Sequence, residues 1–388
     1  MVRNENQIDM KKYIMILTMA AMASCSPKVT QTENVPGSEL GFSLDLFRNA
    51  VAHSSADDDV IVSPYSAGVA LSMLMEGAEG ETRAELDDAL NGCVFKAADL
   101  GDNDTVTVKS ANSVWLDDNF AVRNEYVNHL SRDYDALATT LSFADPATVH
   151  AINDWCSEHT DGMIKGIVSK LTPDMTMILA NALYFKAPWE SPFRSELTSE
   201  RVFHGSKGDS QVPFMSQQFN CAYAAYEGNQ FVALPYEGGR YAMYVLLPSK
   251  DLGVEGVLPY ITEYGLKELQ GTLARNKVNL RLPKFKIETG MSLIKTLQSM
   301  GVKTAFTPAA DLSGIARGPL TVSQVLQKAV VEVDEKGSEA AAVTAIGISL
   351  TSARVEPVPV MTVDRPFYFM IADLEEGRVL FAGRVMNL

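Results

Sequence analysis

The stretch Val333-Asp334-Glu335-Lys336-Gly337-Ser338-Glu339-Ala340-Ala341-Ala342-Val343-Thr344 decides how the rest of the 388-residue chain is read. Side chains of extended backbone alternate between two faces. Carried on towards Arg354, one register holds Ser338, Ala340, Ala342, Thr344, Ile346, Ile348 and Leu350, all uncharged, small first and apolar later. The other holds Gly337, Glu339, Ala341, Val343, Ala345, Gly347, Ser349 and Thr351, and carries the only charge. This is the pattern of a strand with one buried and one wet face. Yet the stretch lies between Gly337 and the prolines Pro357 and Pro359, where an exposed connection is expected. Its alanines also suit a short surface helix, because Ala has the best intrinsic helix propensity. Loop, helix and strand all stay open on these residues alone.

Working outward, Met177-Ile178-Leu179-Ala180-Asn181-Ala182-Leu183-Tyr184-Phe185-Lys186 is a near-continuous apolar run, the mark of a strand buried on both faces. Ala187-Pro188-Trp189-Glu190-Ser191-Pro192-Phe193 follows it. Leu40, Leu44, Phe47 and Val51 recur at helical spacing. Val60 to Val62 reads as a short strand, and Ser63-Pro64 opens a second helix with serine as N-cap and proline at the first helical position. Small residues (Ser63, Ser66, Ala67) let that helix lie close beneath a sheet. Strands are expected at Asn112 to Trp115, around Phe120 to Val122, and at 231–236 and 241–248 about the turn Glu237 to Arg240. One more strand is expected over Val278 to Ile287, and two at 366–371 and 379–385. Helices are expected at Tyr126 to Tyr134, around Ala151 to Trp155, and from Leu293 to Met300, closed by Gly301.

These stretches together resemble the serpin family, and the resemblance covers nearly the whole chain after residue 38. It rests on Glu335 to Thr344 as the proximal hinge, on Asn181 to Phe193, on Ser63-Pro64-Tyr65-Ser66, on Ala310-Asp311-Leu312-Ser313-Gly314, and on Asp364-Arg365-Pro366-Phe367 with Phe381-Ala382-Gly383. It implies an α+β fold: a large central, mostly antiparallel sheet with surrounding helices, a second barrel-like sheet region and an exposed reactive-centre loop over about 335–360. It also implies the hinge residues Glu335, Gly337, Ser338, Glu339, Ala340, Ala341, Ala342, Val343 and Thr344. Ser63, Ser66 and Asn181 fall in the shutter, where the central sheet must part. Trp189 falls at the breach, where the hinge enters, with Lys284 expected to pair with Glu335. In Val322 to Val330 the family usually places a histidine where Gln327 stands; glutamine still donates and accepts hydrogen bonds.

The implied activity is irreversible inhibition. A target serine endopeptidase, or alternatively a cysteine one, attacks the loop and forms an acyl-enzyme, and the cut loop inserts as a new strand in the central sheet. Small side chains at Ser338, Ala340, Ala342 and Thr344 suit that entry. Seventeen residues counted inclusively from Glu335 end at Thr351, giving the bond Thr351-Ser352. Counting back from Pro366 points nearer Arg354-Val355. Thr351 suits elastase- or subtilisin-like enzymes, Leu350 a chymotrypsin- or cathepsin-like one, and Arg354 a trypsin-like one. The alternative is a non-inhibitory serpin acting as a binding or carrier protein.

Composition narrows the field. A net charge of −15 argues against nucleic acid as a partner, since phosphate binding rests on clustered Lys and Arg. Between Cys93 and Trp115 only Lys96 and Lys109 are basic, so no polyanion cofactor is expected where related polyanion-activated proteins carry a basic helix. The five histidines show no metal-ligand spacing, and there is no nucleophile elbow or phosphate-cradling glycine loop. No catalytic residues, no metal and no cofactor are therefore expected; the protein is not expected to be an enzyme, and it is expected to be a monomer.

Lys11 and Lys12 precede an apolar run, Tyr13 to Ala23, too short to span a bilayer but suited to a signal peptide. Met22-Ala23-Ser24-Cys25 resembles a bacterial lipoprotein cleavage box, which implies lipid attachment at Cys25 and contact with a membrane only through that anchor. The organisation expected is a signal peptide and lipobox over 1–25, a polar tether over 26–39 and one domain over 40–388, with Met1 or Met10 as start. The protein would be exported, either as an outer-membrane or cell-surface lipoprotein of a Gram-negative bacterium or as a secreted or periplasmic protein. A plain secretory signal with an incidental Cys25 is the other reading. Cys93, Cys156 and Cys221 are odd in number and form no CxxC pair, so buried free thiols are expected.

Overall fold

The computed structural model describes residues 38–101, 106–262, 265–266, 271–337 and 357–388. Helix α1 (Glu39–Ala52) starts where the Ser38 hydroxyl accepts from the Gly41 N–H at 3.0 Å, and it buries Phe42, Leu44, Leu46, Phe47, Ala50 and Val51. After strand β1 (Val60–Val62), Ser63 caps α2 (Pro64–Met75), and every residue of α2 is buried. A helix apolar all round belongs in a core, and α2 is the post on which the sheets are stacked.

Two sheets make up the frame. The five-stranded sheet runs β10-β11-β4-β2-β3, from β10 (Phe285–Ser292), β11 (Val322–Val333), β4 (Met177–Lys186), β2 (Thr107–Asp117) and β3 (Leu137–Leu141). Its pairings alternate: β10–β11 and β4–β2 are antiparallel, whereas β11–β4 and β2–β3 are parallel, so the central sheet is mixed rather than mostly antiparallel as expected. The nine-stranded sheet takes β1, then β14 (Arg378–Val385), β13 (Phe367–Asp373), β8 (Tyr241–Leu247), β7 (Asn229–Pro235), β6 (Gly208–Tyr226), β9 (Ala274–Pro283) and β12 (Val360–Thr362), with β5 (Ser199–Gly205) paired to β6.

Strand β4 shows why an unbroken apolar run was needed. Met177, Leu179, Leu183 and Phe185 join the main core with α2, while Ile178, Ala180, Ala182 and Tyr184 face the other way, packing with Trp155 and Ile152 or Cys156 of α5 (Ala147–His159). Helix α5 thus covers the front of the five-stranded sheet. It is tied to the chain behind it by Asn153, whose amide donates to the Val168 carbonyl at 2.9 Å and accepts from the Ile167 and Val168 N–H groups.

Two further expectations are corrected. The stretch Val278 to Ile287 is not one strand: β9 ends at Pro283, the Lys284 N–H bonds the Pro213 carbonyl, and the chain crosses into the other sheet as β10. Proline ends a ladder by removing its donor. Around Phe120 to Val122 there is only a single bridge, Val122 to Ala316, rather than a strand. The 310–314 motif is a turn in which Gly314 meets Gly77 so closely that an added Cβ would lie 2.9 Å from the Gly77 Cα. The helices at 124–134 and 294–299 form as expected, and Cys93, Cys156 and Cys221 are buried and unpaired. Burial pushes the Cys156 and Cys221 thiols up to about 11.

Candidate functional site: the seam between β4 and β11

Sequence reasoning singled out residues far apart in the chain, and the structure gathers the described ones along one seam. At its middle, the registers place Gln327 of β11 opposite Asn181 of β4, and Asn181 opposite Asn112 of β2. Residues opposite one another share a face, so three amide side chains form a polar rung across three strands. All three are at least 95 % buried, as are Ser63 and Ser66 beneath them. Buried amides are tolerable only when bonded, and here they are. The Gln327 Oε1 accepts from the Ser63 N–H at 2.8 Å, and its Nε2 donates to the Ser63 carbonyl at 2.9 Å and to Asn181 Oδ1 at 3.2 Å. Asn181 also accepts from the Ser66 hydroxyl and donates to Asn112 Oδ1. Gln327 therefore closes the network in place of the expected histidine. Asn112 was not singled out from the sequence; only the strand register reveals it.

At the upper end, β11 stops at Val333 and the chain turns through Asp334 to Gly337 against the segment after β4. The Trp189 indole N–H donates to the Asp334 carbonyl at 2.9 Å, the Trp189 backbone N–H to the Lys336 carbonyl at 2.9 Å, and the Phe193 N–H to the Glu335 carbonyl at 2.8 Å. The indole stacks on Tyr236 with ring centroids 4.4 Å apart. Gly337 has φ +90°, and an added Cβ would lie 2.3 Å from the Trp189 nitrogen and 2.6 Å from the Ala187 carbonyl oxygen. Glycine is demanded there twice, by conformation and by space.

The Glu335 carboxylate meets Lys284 Nζ at 2.7 Å and accepts from the Thr198 hydroxyl at 2.8 Å. Burial alone would raise its pKa, but the bonds from Lys284 and Thr198 more than offset this and hold the carboxyl below its ordinary value. Lys284 occupies the crossover between β9 and β10, so this pair joins both sheets to the start of the loop. Thr198 was not foreseen, since nothing in Leu197-Thr198-Ser199 marks it.

Ser338 to Thr344, the bond candidates Leu350, Thr351, Ser352 and Arg354, and Cys25 lie outside the described residues. Among the described residues no group of three His, Cys, Asp or Glu is placed to hold a metal ion, and no helix is long and apolar enough to cross a membrane.

The site is thus a parallel seam between β4 and β11, crossed by a buried polar rung and met at its upper end by the chain turning out of β11. The serpin (serine protease inhibitor) family model matches residues 38–388. The chain belongs to the serpin family. It is 36% identical over 367 residues to Iripin-2 of Ixodes ricinus, covering 89% of this chain and 92% of that one. It is 34% identical over 362 residues to an uncharacterized serpin-like protein of Thermococcus kodakarensis, covering 89% and 84%. Among solved structures it resembles the thermophilic serpin tengpin in its native state, with a TM-score of 0.82 at 29% identity over 92% of this chain and 95% of that one. It also resembles thyroxine-binding globulin in complex with thyroxine, with a TM-score of 0.79 at 25% identity over 90% and 98%. Serpins are commonly protease inhibitors rather than enzymes, and some are not inhibitors.

Proposed function

We propose that this chain is an irreversible suicide-substrate inhibitor of serine endopeptidases, acting through insertion of its cleaved loop between β4 and β11. The observation that carries the reading is the parallel pairing of those two strands. A chain leaving β11 and turning back through 334–337 runs antiparallel to β11, and hence antiparallel to β4 as well. Insertion replaces one parallel ladder, the weaker kind per residue, with two antiparallel ones. It requires the Gln327–Asn181 bond and the grip on Ser63 to open, so Ser63, Ser66, Asn181 and Gln327 act as the shutter. Trp189, Lys284, Glu335 and Gly337 hold the loop base at the breach until the loop is cut.

Within this reading the reactive bond is Thr351-Ser352, with Leu350 and Arg354 as alternatives, and Ser338, Glu339, Ala340, Ala341, Ala342, Val343 and Thr344 are the first residues in. Residues 1–25 serve as a signal with lipid attachment at Cys25, and the residues from 26 up to the Ser38 cap of α1 as a tether, shorter than the expected 26–39 because Glu39 already belongs to that helix, which makes the protein an exported envelope lipoprotein. The likeness to thyroxine-binding globulin supports the second reading, a carrier with no trapping activity.

The test is incubation of the protein with elastase, subtilisin and trypsin, followed by denaturing gel and mass spectrometry. A complex surviving denaturation, with a released peptide beginning at Ser352, is expected. A peptide beginning at Val355 moves the bond to Arg354. Clean cleavage with no complex against every protease overturns inhibition in favour of the carrier.

A further inference from the structure

Charge on this protein is unevenly placed. It carries 48 acidic against 33 basic residues, yet the neighbouring strands β6, β9 and β12 contain a single carboxylate, Asp209, at the far end of β6 beside His204. Strand β9, Ala-Arg-Asn-Lys-Val-Asn-Leu-Arg-Leu-Pro, buries Val278, Leu280 and Leu282, so by alternation Arg275, Lys277, Asn279 and Arg281 stand on the outer face. Their cross-strand partners on β6 are Ala222, Asn220, Gln218 and Ser216, and on β12 Asn279 faces Val360 and Arg281 faces Thr362. None is acidic. Arg281 donates to the Thr362 hydroxyl at 3.4 Å, and the pocket that Arg275 borders contributes one carboxylate, Glu190. Three cations are thus spread over roughly 20 Å of strand with no carboxylate beside them on the sheet.

The position of this stripe gives it a use. The loop returns to the described fold at Pro357, and the Pro359 carbonyl accepts from the Asn279 N–H at 2.8 Å, in the middle of the stripe. From Ser352 to Pro359 the chain can span no more than roughly 25 Å. A protease domain of ~220 residues has a radius of gyration near 17 Å, so one bound at the loop overlaps the stripe.

We infer that Arg275, Lys277 and Arg281 form a second docking surface for the target protease, one whose face beside its active-site cleft is acidic. The inference rests on the inhibitory reading and adds to it the kind of enzyme preferred. In a protein otherwise acidic, a cationic strip beside the bait orients the encounter and speeds association with an acidic partner.

The test is the association rate constant of wild type, the triple variant R275Q/K277Q/R281Q, and the double variant R275Q/K277Q, which keeps the Arg281–Thr362 bond. Proteases with acidic and with basic cleft rims are compared at ~10 mM and ~150 mM salt, where the screening length falls from about 30 to about 8 Å. An equal charge change in exposed turns, K250Q/K303Q/R317Q, is the control. On the acidic-rimmed enzyme at low salt, the triple variant is expected to lose about tenfold in rate and most of its salt dependence. The double variant should lose several-fold, and the control less than twofold. Stoichiometry of trapping should not change. If wild type traps proteases and the triple variant matches it in rate and salt dependence, the docking surface is overturned while inhibition stands. If a sulfated polysaccharide accelerates wild type but not the variant, and the unassisted rates agree, the strip is a polyanion site and this inference is also overturned. If wild type traps nothing, the inhibitory reading fails first and the docking surface falls with it.

Discussion

Replacing Gln327 by leucine tests the polar rung directly. The side chain keeps its approximate volume, so the loss is of bonds rather than packing. Three bonds disappear, two to the Ser63 backbone and one to Asn181. They are not equal. The Ser63 carbonyl keeps the Ala67 N–H at 3.0 Å, and Asn181 Oδ1 keeps the Ser66 hydroxyl. The Ser63 N–H, in a residue with no exposed surface, is left with no acceptor. An orphaned buried donor costs about 1–3 kcal/mol and each of the other bonds about 1 kcal/mol or less, so the total is about 3 kcal/mol. Unfolding entropy for residues 38–388 comes to roughly 0.7 kcal/mol per kelvin, so the unfolding midpoint should fall by about 4 °C. Differential scanning calorimetry on wild type, Q327L and Q324L reads this. Gln324 lies on the same strand but is half-exposed, and its variant should move the midpoint by less than 1–2 °C. Q327L should also lose inhibitory capacity faster on storage, because the seam then opens before cleavage. An unchanged midpoint in Q327L, or an equal fall in Q324L, would refute the rung as the fastening of the seam.

Three further outcomes follow from the same geometry. Gly337→Val places a branched side chain at φ +90° with its Cβ 2.3 Å from the Trp189 nitrogen, so it should detach the loop base; faster nicking of the loop in limited proteolysis checks it. Glu335 titrates below its ordinary value of 4.5, so its contribution is complete above that pH and is lost as pH falls through the folded value. The midpoint difference between wild type and E335Q should hold steady from pH 7 to about 5 and shrink below that; a difference constant to pH 3 contradicts the Lys284 and Thr198 bonds as its source. Ala342→Arg puts a charge on the register that sequence alternation and the proposed insertion would turn inward, and should turn trapping into turnover, read as a several-fold rise in inhibitor molecules consumed per protease.

Much of this was legible in the chain because single residues carry one physical demand each. The Ser63-Pro64 start, the doubly buried run of β4 and the Gly301 stop were all readable, as was Trp189, which stands just after β4. What stayed hidden depends on register and on where a strand changes sheets. Asn112 gains its place only because β2 pairs with β4 at Asn181. Lys284 looked like the middle of one strand, since a single proline does not say that the chain crosses to another sheet. Thr198 reaches Glu335 across 137 residues of sequence, and no local pattern announces such a contact. The histidine-to-glutamine change at 327 could be seen in the sequence, but only the geometry shows Oε1 and Nε2 meeting the Ser63 N–H and carbonyl together.

The central claim is that the cut loop becomes a strand between β4 and β11. Burial of Ile346, Ile348 and Leu350 contributes about 1.5–3 kcal/mol each. With new ladder bonds at about 1 kcal/mol each the gain is on the order of 10 kcal/mol. The direct measurement is the thermal midpoint of intact protein against protein nicked once within 338–356 by a protease it does not trap. The account predicts a rise of 10 °C or more on cleavage. An unchanged or lower midpoint in the nicked protein would contradict insertion.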